Sequence, residues 1–161
     1  MSEQERGAEG LGPVRREVTV EAPVARAFSV FTEYQGTWWP AGYHIGEQEP
    51  EAIMVEPRAG GRWYERAPDG AECDWGRVLV WEPPHRVVFA WQINAEWRFE
   101  PDAAKGSEVE VSFTPAGARG TLVRLEHRNF ERHGAGAASI RESIAGPEGW
   151  TGLLEGFAKA V

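Results

Sequence analysis

Trp75-Gly76-Arg77-Val78-Leu79-Val80-Trp81-Glu82-Pro83-Pro84-His85-Arg86 is the stretch on which the fold turns. Valine and tryptophan suit a pleated, half-buried surface, so residues from Glu72 to Glu82 read as one strand. Pro83-Pro84 cannot continue a ladder and ends it. His85 to Ile93 reads as the returning strand. Trp75, Leu79 and Trp81 share one parity, which predicts a common face.

Upstream, Asp69-Gly70 is a hairpin signal that links this strand to Arg62–Arg66. Gly60-Gly61 turns the chain into that segment, and Ala52–Val55 forms an earlier strand ended by Pro57. Downstream, Val109, Val111 and Phe113 alternate with Glu108, Glu110 and Ser112. After a turn over Gly117–Gly120, Thr121, Val123, Leu125 and His127 share a face.

The two ends read as helix-bearing. Val18 and Val20 mark a strand over residues 14–21, and Pro23 suits the first turn of a helix. Val24, Ala27, Phe28 and Phe31 give that helix one apolar face. Gly36 and Pro40 bracket Thr37-Trp38-Trp39, a short helical turn or loop. Near the C-terminus, Ala137, Ile140 and Ile144 keep helical spacing until a break at Gly146-Pro147. Trp150, Leu153, Leu154 and Phe157 then fall at i, i+3, i+4 and i+7. The order β-α-α-β6-α is that of an α+β domain, and short turns between successive strands make its sheet antiparallel.

The chain has 161 residues and one cysteine, Cys73. That length fits one domain, placed at residues 14–161, behind a polar tail at residues 1–13 that is expected to be disordered. A net charge of −8 disfavours nucleic acid and anionic membrane surfaces as partners. No stretch approaches the roughly 20 apolar residues of a membrane span, and no apolar signal region opens the chain, so a cytoplasmic location is expected. His44, His85, His127 and His133 are scattered and form no ligand-spaced set, so neither a metal nor a cofactor is expected. Cys73 lacks an activating histidine and reads as a small strand residue. Gly60-Gly61 reads as a turn, not a phosphate loop, because a strand follows it.

Several of these motifs together resemble a known family. They are Ala22-Pro23 ahead of Phe28 and Phe31, Gly60-Gly61-Arg62-Trp63, and the Trp75–Arg86 run followed by Trp91. Ser107–Phe113 and Leu125-Glu126-His127-Arg128-Asn129-Phe130 complete the set. Residues 14–161 resemble the bacterial proteins grouped with the activator of heat-shock protein 90 ATPase, within the START-like or SRPBCC superfamily. The resemblance implies a helix-grip fold, with a curved antiparallel sheet wrapped around a long C-terminal helix and a cavity between them. It also implies a hydrophobic ligand of lipid or polyketide type.

Eight tryptophans are the outstanding feature of the composition. Large rings on a curved sheet either fill the core or wall a cavity. The candidate pocket residues are Trp38, Trp39, Trp63, Glu65, Trp75, Leu79, Trp81, Phe89, Trp91, His127 and Phe157. An inward Glu65 needs a partner, and Arg77 is the candidate. His127 is a candidate acid or base; its plain alternative is a structural histidine bonded to Glu65 or to an indole.

The expected function is non-catalytic binding of a hydrophobic or aromatic small molecule. One alternative is a cyclase, aromatase or hydrolase using His127. Another is a co-chaperone-like interaction module. The co-chaperone that names the family has an extra N-terminal domain, and only a short tail precedes Val14, so a chaperone partner is not expected. Edge strands leave a homodimer open.

Overall fold

A computed structural model describes residues 11–161 of the chain. Its strands are β1 (Val14–Val20), β2 (Ala52–Val55), β3 (Arg62–Arg66), β4 (Glu72–Glu82), β5 (Arg86–Trp91), β6 (Ser107–Ala116) and β7 (Gly120–Arg128). They form one antiparallel sheet in the order β1-β7-β6-β5-β4-β3-β2. The sheet curls around helical segments that pack on its concave face, which is the helix-grip arrangement.

Helix α1 (Val24–Thr32) follows β1 and buries Ala27, Phe28, Val30 and Phe31. A single 3-10 turn, Gln35–Thr37, follows it. The C-terminal arm consists of two nine-residue helices, α2 (Ala137–Ala145) and α3 (Gly152–Ala160), so it is not one continuous rod. Gly146 is extended, and Pro147–Thr151 forms a wide turn between the helices. This is the break that Gly146-Pro147 signals in the sequence. Each helix buries its apolar stripe: Ala137, Ile140 and Ile144 on α2, and Leu153, Leu154 and Phe157 on α3.

The alternation on β6 works as its pattern requires. Val109, Val111 and Phe113 are fully buried. Glu110 points outward and pairs with Arg86 and Arg128, which hold its carboxyl below the usual range.

On β4 the simple alternation fails. Pairing with β3 runs from Trp63↔Gly76 to Tyr64↔Asp74 and leaves Trp75 as an extra residue. Pairing with β5 runs from Val78↔Phe89 to Val80↔Val88 and leaves Leu79 as another. Each bulge reverses the parity beyond it. Trp75, Gly76 and Val78 are therefore buried, whereas Leu79 is 41% exposed. Leu79 does not belong to the interior, contrary to its expected parity with Trp75 and Trp81.

The first ten residues of the expected tail lie outside the described residues. Within its remainder, Leu11 packs against the core, and the Gly12 carbonyl accepts a hydrogen bond from Arg141 Nε at 2.7 Å.

Candidate functional site: an indole-lined cleft

Much of the concave face is filled. Phe31 meets Trp38, Phe113 and Phe157 at ring-centroid distances of 5.2, 5.9 and 5.3 Å. Phe28 packs between Trp81 and Phe113 at 5.0 and 5.3 Å. Trp63 lies 4.7 Å from Phe89. Edge-to-face and tilted contacts of this kind make a dense core. Trp38, Trp63, Trp81, Phe89 and Phe157, all expected to line the pocket, belong to this packed region.

A cavity of about 680 Å³ remains at one end, between the kinked C-terminal arm and two loops. This is a usual volume for a small-molecule site. Trp39, Tyr43, His44 and Ile45 come from the loop before β2. Trp75 and Trp91 form the sheet wall, and Ile93 and Trp97 come from the β5–β6 connection. Glu142 to Ile144, Gly146 to Gly149, and Leu153 close the third side. Among the eleven expected pocket residues, the cleft thus brings together Trp39, Trp75 and Trp91.

Local chemistry fixes these walls. Trp39 Nε1 donates to the Tyr43 carbonyl at 2.9 Å, which folds the loop back on itself. Its ring sits 5.2 Å from Trp75 and 6.1 Å from Trp150. Gly76 stands in register between Trp63 and Trp91, whose rings are 5.7 Å apart. A Cβ at Gly76 would lie 1.7 Å from the Ala90 carbonyl oxygen, so this row accepts only glycine.

Trp97 tops a tight turn. Asn94 Oδ1 accepts from the backbone N–H groups of Glu96 and Arg98, both at 3.0 Å. Ile93 and Phe99 pair below it. Trp97 has φ 60°, in the left-handed region, and is 56% exposed.

Glu65 is buried, and its partner is not Arg77. Its carboxylate accepts hydrogen bonds from the Ile45 N–H at 2.6 Å, the Trp75 indole N–H at 2.8 Å and the Gly46 N–H at 3.3 Å. Arg77 instead pairs with Asp74 at 3.2 Å. Burial, with the nearby Glu65 charge, raises the Cys73 thiol and so favours its protonated form.

His127 is fully buried and does not line the cleft. Trp150 Nε1 donates to its Nδ1 at 3.1 Å, and its Nε2 meets Ser107 Oγ at 2.7 Å. Phe130 stacks on the ring at 4.5 Å. Burial pushes its pKa far below the ordinary range. Closed off in this way, it has the surroundings of the structural alternative, with an indole as partner.

The histidine that does line the cleft is His44. Its Nδ1 lies 2.8 Å from the Gly46 carbonyl, and its Nε2 lies 3.1 Å from Glu49 Oε2. The sequence places His44 only among four scattered histidines and does not single out Trp97. A bulky aromatic among polar loop residues was the available signal for Trp97, because connections presented by a rigid scaffold often carry binding residues. Among the described residues, no cluster of three His, Cys, Asp or Glu side chains could hold a metal ion. No described helix is long and apolar enough to cross a membrane.

Residues 21–161 match the family described as activator of Hsp90 ATPase homolog 1-like protein. The chain belongs to that family.

Solved structures carry the same fold. The anthrahydroquino-γ-pyrone synthase Txn09, solved in complex with SUM, is 40% identical, with a TM-score of 0.66; the match covers 93% of this chain and 97% of that one. The self-sacrificing resistance protein CalC from Micromonospora echinospora is 30% identical, with a TM-score of 0.69 and 94% of each chain covered. Protein NE0264 from Nitrosomonas europaea shares the fold at 16% identity, with a TM-score of 0.65 and 92% of each chain covered. No curated protein matches the chain.

Proposed function

We propose that this family member binds an uncharged, hydroxylated polycyclic aromatic molecule of the aromatic-polyketide class in the cleft. The observation that carries this reading is the lining. Trp39 and Trp97 supply flat apolar surface, with the buried Trp75 and Trp91 closing the wall behind them, while Tyr43, His44 and Ser143 supply a few polar groups. Such a mixture suits a planar ring system with peripheral hydroxyls. The acidic groups of the lining are Glu142 and Glu148, and it holds no lysine or arginine. A fatty-acid carboxylate or a lipid phosphate would find two carboxylates and no lysine or arginine there, so the lining favours polyketide-like over lipid-like ligands. The name of Txn09 points the same way, because its product class is a fused aromatic.

Burying about 200 Å² of ring surface yields roughly 5 kcal/mol at about 25 cal/mol per Å², before the cost of association. The test is a titration of the pure protein with 1,4-dihydroxyanthraquinone and with palmitate, followed by indole fluorescence. The quinone should quench saturably and palmitate should not. Stronger binding of palmitate, or no response to either, would overturn the proposal.

A second reading, proton-transfer catalysis on the bound aromatic, is favoured by the position of His44. Its Nδ1 faces the Gly46 carbonyl, which would orient the ring, and a ligand hydroxyl that displaced Glu49 would meet its Nε2. His127, the earlier candidate, has no access to the cleft. Turnover of a phenolic substrate that persists in His44→Gln would remove this reading.

A further inference from the structure

We infer that Glu65 is the positioning residue of the cleft: one buried carboxylate that clamps the loop wall to the sheet wall. The inference rests on the cleft being the ligand site, and it adds the group that sets the shape of that site.

Glu65 lies on β3 and is 2% exposed. Its three hydrogen-bond donors come from two walls. Ile45 and Gly46 belong to the loop between the 3-10 turn and β2, and Trp75 belongs to β4. Ile45 and Trp75 both line the cleft, and both donate to the same oxygen, Oε1. Removing that oxygen would therefore release two walls together.

Residues 42–46 have few other ties. Glu49 accepts from the Gly42 N–H and faces His44, Trp39 bonds to Tyr43, and the Tyr43 N–H bonds to Pro40. These bonds all lie within the loop. Among the described hydrogen bonds, those to Glu65 are the ones that fasten residues 42–46 to the sheet.

The backbone at Gly46 reaches the carboxylate because it carries no side chain. A Cβ there would lie 3.0 Å from Glu65 Oε2 and 3.3 Å from Cys73 Sγ. The nearest cationic candidate, His44 Nδ1, is 4.0 Å away from Oε2. A carboxylate buried without an arginine or lysine is costly unless several donors surround it. Here the donors are the parts that must be aligned, which gives the residue a role in shaping the site as well as in folding.

The test compares wild type, Glu65→Gln, Glu65→Ala and Gly46→Ala. Binding of 1,4-dihydroxyanthraquinone is read by indole quenching, and amide hydrogen exchange is read residue by residue. Glu65→Gln keeps an acceptor for Ile45 and Trp75, so its affinity should stay within about threefold of wild type. Glu65→Ala should bind about tenfold or more weakly. Its Ile45 and Gly46 amides should lose protection while the β5–β6–β7 amides keep theirs. Gly46→Ala, which crowds Oε2, should show the same pattern in milder form and serves if Glu65→Ala does not fold. Unchanged protection of Ile45 and Gly46 in the alanine variants, or unchanged affinity in the face of lost protection, would overturn the inference. If wild type ignores the quinone, the ligand proposal fails, and hydrogen exchange alone still judges the clamp.

Discussion

The indole N–H of Trp150 donates to Nδ1 of His127 at 3.1 Å and ties the C-terminal arm to β7, the strand beside the β1 edge. An indole can only donate, so Nδ1 accepts and the His127 proton sits on Nε2. From there it points to Ser107 Oγ at 2.7 Å, whose own hydroxyl reaches His133 Nε2 at 2.8 Å. The chain of bonds is complete only with both histidines neutral.

Acid should therefore loosen this junction. Burial lowers both histidines, and for His127 the neighbouring His133 adds to the effect. In the unfolded chain both take up protons near about pH 6.5. Below that pH the unfolded state binds more protons than the folded one, so stability falls as pH drops from about 6.5 toward 5. Urea unfolding at pH 7.5 and 5.0 should show a lower midpoint in acid. His127→Gln should lose about 1–3 kcal/mol at pH 7.5, yet show a shallower pH dependence. An equally steep dependence in the variant would count against the assignment.

Gly76→Ala should be among the most damaging single-methyl changes available. The added Cβ would meet backbone at Ala90, which cannot swing aside as a side-chain tip can. Restoring clearance would have to part β4 from β5 beneath Trp63 and Trp91. A cost of about 3 kcal/mol or more is expected. Thermal unfolding of the variant checks it, and a melting point close to wild type would show that the ladder yields more easily than its packing implies.

Leu79 and Val78 should respond in opposite ways to truncation. Leu79 is the outward residue of a bulge, so Leu79→Ala should change stability by about 0.5 kcal/mol or less. Val78 is fully buried beside it, and Val78→Ala should cost about 2 kcal/mol. Denaturant midpoints of the two variants settle the order. A larger loss at Leu79 would restore the unbulged strand.

This pair also marks how far the sequence could be read. Period-two alternation on β6 and β7, the Pro83-Pro84 stop and the helical spacing from Trp150 to Phe157 each reflect local rules, and together they specify the curled sheet and its arm. A bulge leaves no such trace. Nothing in Trp75–Glu82 shows that two residues lack partners, so parity reasoning turned Leu79 inward. The aromatic lining of the cleft was legible in kind but not in place. The abundance of indoles pointed to an aromatic wall, but which rings pack solidly depends on contacts distant in sequence. Phe31 with Phe157 and Trp63 with Phe89 are such contacts. Trp97 and His44 were missed because strand and helix periodicities say nothing about loop residues.

Trp97 offers the sharpest separation of binding from folding. Its ring lines the cleft yet is more than half exposed, and its turn is held by Asn94 and not by the ring. Trp97→Ala should therefore leave the melting temperature within about 2 °C of wild type. It should weaken binding of 1,4-dihydroxyanthraquinone by about tenfold, as expected for losing one aromatic face of a stacked site. Trp63→Ala should do the reverse in emphasis, costing about 3–5 kcal/mol of stability because its ring is buried against Phe89, Trp75 and Trp91. Paired melts and quenching titrations on the two variants make the comparison. Normal affinity in Trp97→Ala would move the ligand away from the β5–β6 turn and deeper along the wall formed by Trp39, Trp75 and Trp91.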